Sequence, residues 1–194
     1  MSSYNNLNSV TKTLSTHIWN GIKDDPQTKA IIQSFRQINY LSPKEIQTES
    51  AQISVFLYNV TELPGMRNQP QTTQNPHTLL YLNLHYLITP LTQNAENDQI
   101  ILGKIMQLFA ETPILRGSNL QGSLLESGDE LKIILDSPGA EDLNKLWTML
   151  QTPYKFCISY SVFPVRIESS TKIEEKPVII KKHTLQFKKT IIKV

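Results

Sequence analysis

Two apolar stretches, joined by a polar run with no helical periodicity, constrain this chain more than any other feature. Ala51 to Val60 sets Ile53, Val55, Leu57 and Asn59 against Ser54, Phe56, Tyr58 and Val60, and Leu79 to Ile88 sets Leu80, Leu82, Leu84 and Tyr86 against Tyr81, Asn83, His85 and Leu87. Each reads as a strand apolar on one face and nearly so on the other, the pattern of the middle of a sheet. The intervening Glu62 to Pro76 is rich in Gln, Asn, Thr and Pro. Parallel neighbours need a crossover that is usually helical, so this run predicts antiparallel strands joined by a long connection that is either functional or disordered.

The remaining periodicities supply helices and further strands. Leu7, Val10, Leu14 and Ile18 form one helical stripe over Asn6 to Lys23, ended by Asp24, Asp25 and Pro26. Residues 27 to 45 are mixed, with a short helix over Ile31, Ile32, Phe35 and Ile38 the weakest reading. Asn97 to Ala110 carries a broad apolar face that Pro113 closes. Ala140 to Leu150 is the clearest helix, with Leu143, Leu146, Trp147 and Leu150 on one stripe and Glu141 and Asp142 in its first turn, where the helix dipole favours carboxylates. Glu130 to Asp136 alternates as a strand, and Tyr154 to Ile167 is another, in which Pro164 demands an edge or a bulge. The expected fold is α+β: a mainly antiparallel sheet of about four strands packed against helices. It occupies residues 1–168, and an extended basic arm occupies 169–194.

Composition narrows the function. The chain is 39% hydrophobic and 19% charged, as an ordinary single-core domain is. Its net charge of +2 is unevenly placed: from Ser169 onward seven lysines face Glu174 and Glu175, leaving the body mildly acidic. Such an arm suits an acidic surface or a neighbour's sheet edge, which an extended segment can join as a strand; a solvated, disordered tail is the alternative. It has no arginine and only Phe187 for stacking, so nucleic acid is not expected. Cys157 is the single cysteine and reads as a small core hydrophobe. With no signal-peptide pattern at the N-terminus and no apolar run of about 20 residues, a cytoplasmic product without membrane insertion is expected.

No catalytic or metal-binding constellation emerges. His17, His77, His85 and His183 lack a second ligand at metal spacing. His85 is read as a hydrogen-bonded strand residue. Ser9-Val-Thr-Lys12 and Ser170-Thr-Lys172 lack the companion motifs of a serine–lysine site, and Gly117-Ser-Asn-Leu-Gln-Gly122 reads as a turn because it lacks the Gly-Lys-Ser/Thr ending of a phosphate loop. No cofactor and no enzymatic activity are expected.

An ordered set of segments carries a family resemblance: Phe56-Leu-Tyr-Asn-Val-Thr-Glu62 with Met66-Arg-Asn68, Leu82-Asn-Leu-His-Tyr-Leu-Ile-Thr-Pro90, Ile101-Leu-Gly-Lys-Ile-Met106, Lys145-Leu-Trp147, Thr152-Pro-Tyr154 and Ser159-Tyr-Ser-Val162. Together they resemble the cap, or tail-terminator, family of extracellular contractile injection systems, of which the antifeeding prophage is an example. The resemblance implies a phage-tail-terminator-like domain, six copies of which close a ring on the last layer of inner tube and sheath. Implied partners are the chain itself, the sheath protein and the inner tube protein, in a particle that can be released from the cell. It further implies that Glu62, Met66, Arg67 and Asn68 meet a neighbouring subunit or the tube. The arm, through Lys181, Lys182, Leu185, Phe187, Lys188 and Lys189, is assigned to a sheath subunit or the next cap subunit. A neck or connector ring of a contractile-tailed phage and a stand-alone binding module are the alternatives.

Overall fold

The computed structural model describes residues 3–45, 52–66 and 77–172. Among these residues four α-helices and six strands follow in the order α1 (Asn6–Ile22), α2 (Pro26–Ile31), β1 (Ile38–Asn39), β2 (Ile53–Glu62), β3 (His77–Pro90), α3 (Ala95–Glu111), β4 (Ile114–Arg116), β5 (Glu130–Asp136), α4 (Ala140–Met149) and β6 (Ile158–Lys172). The strands form one sheet in the order β1-β2-β3-β6-β5-β4, antiparallel throughout except where β1 meets β2. The expected α+β architecture is present. The four long strands are the four expected, and the count rises to six through β1 and β4, which at two and three residues are too short to show a periodicity.

The first helix forms as its stripe requires. Val10, Leu14, Ile18 and Ile22 are at most 1% exposed and lie against the inner face of the sheet. Burial of each such side chain contributes about 1.5–3 kcal/mol. The residues that stop α1 also start α2: Pro26 takes the first helical position, and Asp25 accepts from the Gln27 and Thr28 amides at 3.1 Å each. This is an N-cap with a pre-set φ behind it. The helix anticipated further along, around Phe35 and Ile38, is instead a single 3₁₀ turn leading into β1. Asn94 caps α3 in the same way as Asp25 caps α2, through the amides of Glu96 and Asn97. Ile101, Leu102, Ile105 and Phe109 then face the core.

In β3 the two predicted faces separate cleanly. Leu82, Leu84 and Tyr86 are buried on the inner face beneath α1 and α3, and Asn83, His85 and Leu87 turn to the outer face. In β2 the expected alternation fails at one point. The register passes from Leu57↔Tyr86 to Asn59↔His85, so Tyr58 is the extra residue of a bulge. The bulge flips the faces beyond it, and Asn59, expected with Ile53 and Val55, lies opposite His85 instead. Pro164 is accommodated by a second bulge: β3 advances from Leu82 to Leu84 while β6 advances from Val162 to Val165. It also falls just beyond Phe163, the last residue of β6 that pairs with β5. An interior strand thus tolerates a proline where its ladder is already broken.

The predicted turn at Gly117 to Gly122 is present, with both glycines in the left-handed region at φ +56° and +62°. Its polar residues dock on α1. The Gln121 amide donates to Thr13 Oγ1 at 2.9 Å, and the Ser123 amide donates to Ser9 Oγ at 3.1 Å. Ser9 is therefore a packing residue of α1.

Candidate functional site

The outer face of the sheet holds a connected group of polar side chains. His85 of β3, Ser161 of β6 and Asp136 of β5 sit on adjacent strands, and their residue types match a serine–histidine–aspartate relay. Their geometry does not. Ser161 Oγ donates to Asp136 Oδ2 at 2.5 Å and lies 3.1 Å from His85 Nδ1, while Asp136 Oδ2 is 3.3 Å from that same nitrogen. A relay needs the hydroxyl and the carboxylate on opposite ring nitrogens. Here Nε2 faces Thr61 Oγ1 at 3.1 Å and Asn83 Nδ2 at 3.3 Å. The hydrogen bonds run across β2, β3, β6 and β5 and hold four strands in register. His85 is thus the bonded strand residue the sequence predicts, in a network whose partners the sequence does not reveal.

Beside this network, α4 covers the part of the outer face around Leu87. Leu146 and Trp147 bury against Leu87, with Tyr58, Leu143, Leu150 and Cys157 packed around them. Cys157 is half-buried, and burial raises its thiol pKa. A protonated thiol in such surroundings is a packing group and not a nucleophile. Between α4 and the segment that follows it runs a groove of ≈ 720 Å³ lined by Leu143, Trp147, Pro153 and Tyr154. Tyr154 stacks edge-on to Trp147 at 5.7 Å yet stays 59% exposed.

The two predicted contact regions begin at one end of the sheet. Glu62, exposed, ends β2, and a 3₁₀ turn over Pro64–Met66 follows, held by the Met66 amide on the Leu63 carbonyl. At the same end His77, where β3 begins, is paired with Lys172, the last residue of β6. The stem of the 62–76 loop and the stem of the arm therefore lie side by side, on strands separated in sequence by most of the chain. Arg67 and Asn68 lie outside the described residues, as do Lys181, Lys182, Leu185, Phe187, Lys188 and Lys189. Near this end a recess of ≈ 280 Å³ is lined by Asn6, Ser123, Glu126, Arg166 and Glu168. Arg166 bridges Asp129 and Glu168 at 3.4 Å each. Asn6 donates to the Arg166 carbonyl at 2.6 Å, tying the start of α1 to β6.

Among the described residues no group of three or more His, Cys, Asp or Glu side chains is placed to hold a metal ion, and no helix is long and apolar enough to cross a membrane.

Solved structures share this fold. The sheath/tube terminator of the extracellular contractile injection system PVC, in its extended state, superposes with a TM-score of 0.60 at 15% identity over 96% of this chain and 65% of that one. The anti-feeding prophage cap, described as its tube-terminating cap, superposes with a TM-score of 0.54 at 17% identity over 92% of this chain and 60% of that one. The chain thus spans less than two thirds of the length of either relative. No curated protein sequence matches it. The family described as Pvc16 N-terminal domain matches residues 9–181, and the chain belongs to that family.

Proposed function

We propose that this protein is the structural cap, or tail terminator, of a contractile injection particle. The observation that carries the reading is the superposition of nearly the whole chain on the PVC terminator, together with family membership over residues 9–181. Copies of the chain close a ring, a hexamer, on the distal end of inner tube and sheath. The ring ends polymerisation and anchors sheath to tube. A contact between two unlike patches generates a ring when its rotation closes, and a ring matched to the tube denies the next layer a seat. The role is structural and needs no catalysis or cofactor, in keeping with a His85 network bonded as a brace. The protein is made in the cytoplasm and travels with the particle.

Within this reading, Glu62, Met66, Arg67 and Asn68 contact a neighbouring subunit or the tube. The arm, with Lys181, Lys182, Leu185, Phe187, Lys188 and Lys189, forms the second contact, on sheath or neighbouring cap. The adjacency of the two stems supports treating them as one assembly end. Electron microscopy of particles from cells lacking the gene tests the proposal: tubes and sheaths of variable length with open ends, restored to uniform closed particles by the gene, are expected. Uniform closed particles without the gene would refute it.

A further inference from the structure

The sheet ends at β4, and among the described residues no strand lies beyond it. The direction of its backbone groups follows from the register. Ile114 opposes Lys132, so Pro113 opposes Ile133, and the Ile133 amide donates to the Pro113 carbonyl at 2.8 Å. Hydrogen-bonded and non-hydrogen-bonded pairs alternate along an antiparallel ladder, so Leu115↔Leu131 is also a bonded pair. The N–H and C=O groups of Ile114 and Arg116 therefore point away from β5. Next to this edge the outer face carries uncovered apolar side chains. Ile114 and Ile134 are 42% and 50% exposed, and Phe163, which opposes Lys132 from the other side, stands on the same face. Outward backbone groups beside an apolar shelf form the recognition surface for one added strand.

We propose that this edge receives residues 173–194 of a second copy of the chain, laid along β4 as an added strand; the inference rests on the ring reading above and names a contact that would close the ring. Two properties select this occupant. The first is charge. Residues 111–136, which carry β4 and β5, hold Glu111, Glu126, Asp129, Glu130 and Asp136 against Arg116 and Lys132, and they stay acidic after Arg166 is set against Asp129. Residues 173–194 hold six lysines against Glu174 and Glu175, and Leu185-Gln-Phe-Lys188 alternates apolar and polar as a strand lying over a shelf does. The second is direction. Phe163 is level with Ile114 across the sheet, whereas β6 runs on to Lys172, roughly 30 Å further at strand rise. β6 thus carries its last described residue, Lys172, away from its own β4.

The test uses full-length protein. Ile114→Pro deletes an amide that points outward and leaves the Leu115↔Leu131 pair intact; Ile134→Lys charges the shelf at an exposed position. Both are expected to weaken self-association roughly tenfold or more by analytical ultracentrifugation, without changing the circular dichroism spectrum, as truncation after Lys172 also should. In a Cys157→Ser background, a short thiol crosslinker should join Ile114→Cys of one copy to Phe187→Cys of a differently tagged copy. Four results would overturn the assignment: self-association unchanged by both Ile114→Pro and Ile134→Lys; crosslinks confined to a doubly substituted single copy; no crosslink at all; or amide protection at Ile114 and Arg116 that arises only when sheath or tube protein is added. Each leaves the particle-length experiment untouched, so the strand contact and the cap reading fail separately.

Discussion

The buried pair Tyr86–Thr11 separates two effects that are easily conflated. Tyr86 is 0% exposed on the inner face of β3, and its hydroxyl meets Thr11 Oγ1 of α1 at 2.8 Å, so helix and sheet share one hydrogen bond inside the core. Burial also pushes the Tyr86 phenol pKa strongly upward, which keeps the ring neutral and bonded. Thr11 has a second partner, the Leu7 carbonyl at 3.2 Å, whereas the phenol has Thr11 alone among the described residues. Tyr86→Phe therefore removes a bond but strands nothing and should cost about 0.5–1.5 kcal/mol. Thr11→Val leaves the phenol buried without a partner and should cost about 1–3 kcal/mol. The double variant removes both polar groups and should be less destabilised than the two single costs together, with a coupling of about 1 kcal/mol in a double-mutant cycle. Urea denaturation followed by circular dichroism gives the three values, and each kcal/mol should appear as about 2–4 °C in Tm for a chain of this length. If Thr11→Val costs no more than Tyr86→Phe, the phenol has another partner and the argument from asymmetry is wrong.

Three further outcomes are expected. His17 stacks on Phe109 at 5.8 Å, and desolvation lowers its pKa below the usual 6.5, partly offset by a bond with the Leu108 backbone. The folded state then binds fewer protons than the unfolded one, so this contribution is complete above pH 6.5 and is lost as pH falls through 6.5 toward the folded pKa. Midpoints in urea should fall over that window in wild type and fall less in His17→Gln. Gly122 stands at φ +62° with the place of a Cβ 2.6 Å from Ser9 Oγ, so Gly122→Ala should cost about 1–3 kcal/mol and loosen the 117–124 turn from α1, visible as faster exchange of the Ser123 amide. Arg67→Ala should reduce ring formation by the full-length protein while leaving its Tm within about 1 °C, as a contact residue on a loop does; a matching loss of Tm would place Arg67 in the fold instead.

What was legible in the sequence, and what was not, has a physical boundary. Elements that bury a long stripe announce themselves, because a period of two or 3.6 has many residues in which to repeat. So α1, α3, α4 and the four long strands were readable, with ends displaced by a few residues. Events that depend on one residue or on a partner strand were not. The Tyr58 bulge turns Asn59 over without any change in composition, and Asp24-Asp25-Pro26, read as a helix stop, is equally a helix start. The sequence marked α4 as the clearest helix but held no sign that it lies on the face opposite α1. The His85 network was half legible. Ser159 and Ser161 alternate with Tyr160 and Val162, which marks an outward face, but only the register brings Ser161 and Asp136 to His85 from 76 and 51 residues away in the chain. The adjacency of the 62–76 and C-terminal stems is hidden for the same reason.

A tail terminator, the role proposed for this chain, faces a requirement that an enzyme does not: it must join the last layer of a repeating assembly through a surface that the layer already offers, yet offer nothing equivalent in return. The two ends of this sheet are unlike in the way that requirement demands. At one end the stems of a polar loop and a basic segment lie together beside the Arg166 recess, whose walls are set by carboxylate pairs and a carbonyl held by Asn6. Toward the other, where β6 begins, α4 and the segment that follows it form the groove in which Trp147 and Tyr154 make an apolar surface. A contact that joins the polar end of one copy to the apolar end of the next is heterologous, and heterologous contacts either close into rings or run on as filaments. Which of the two occurs depends on the rotation each contact imposes, and in the strand contact proposed above the short β4 edge, with a glycine turn immediately after it, would set that rotation more tightly than a flat apolar patch.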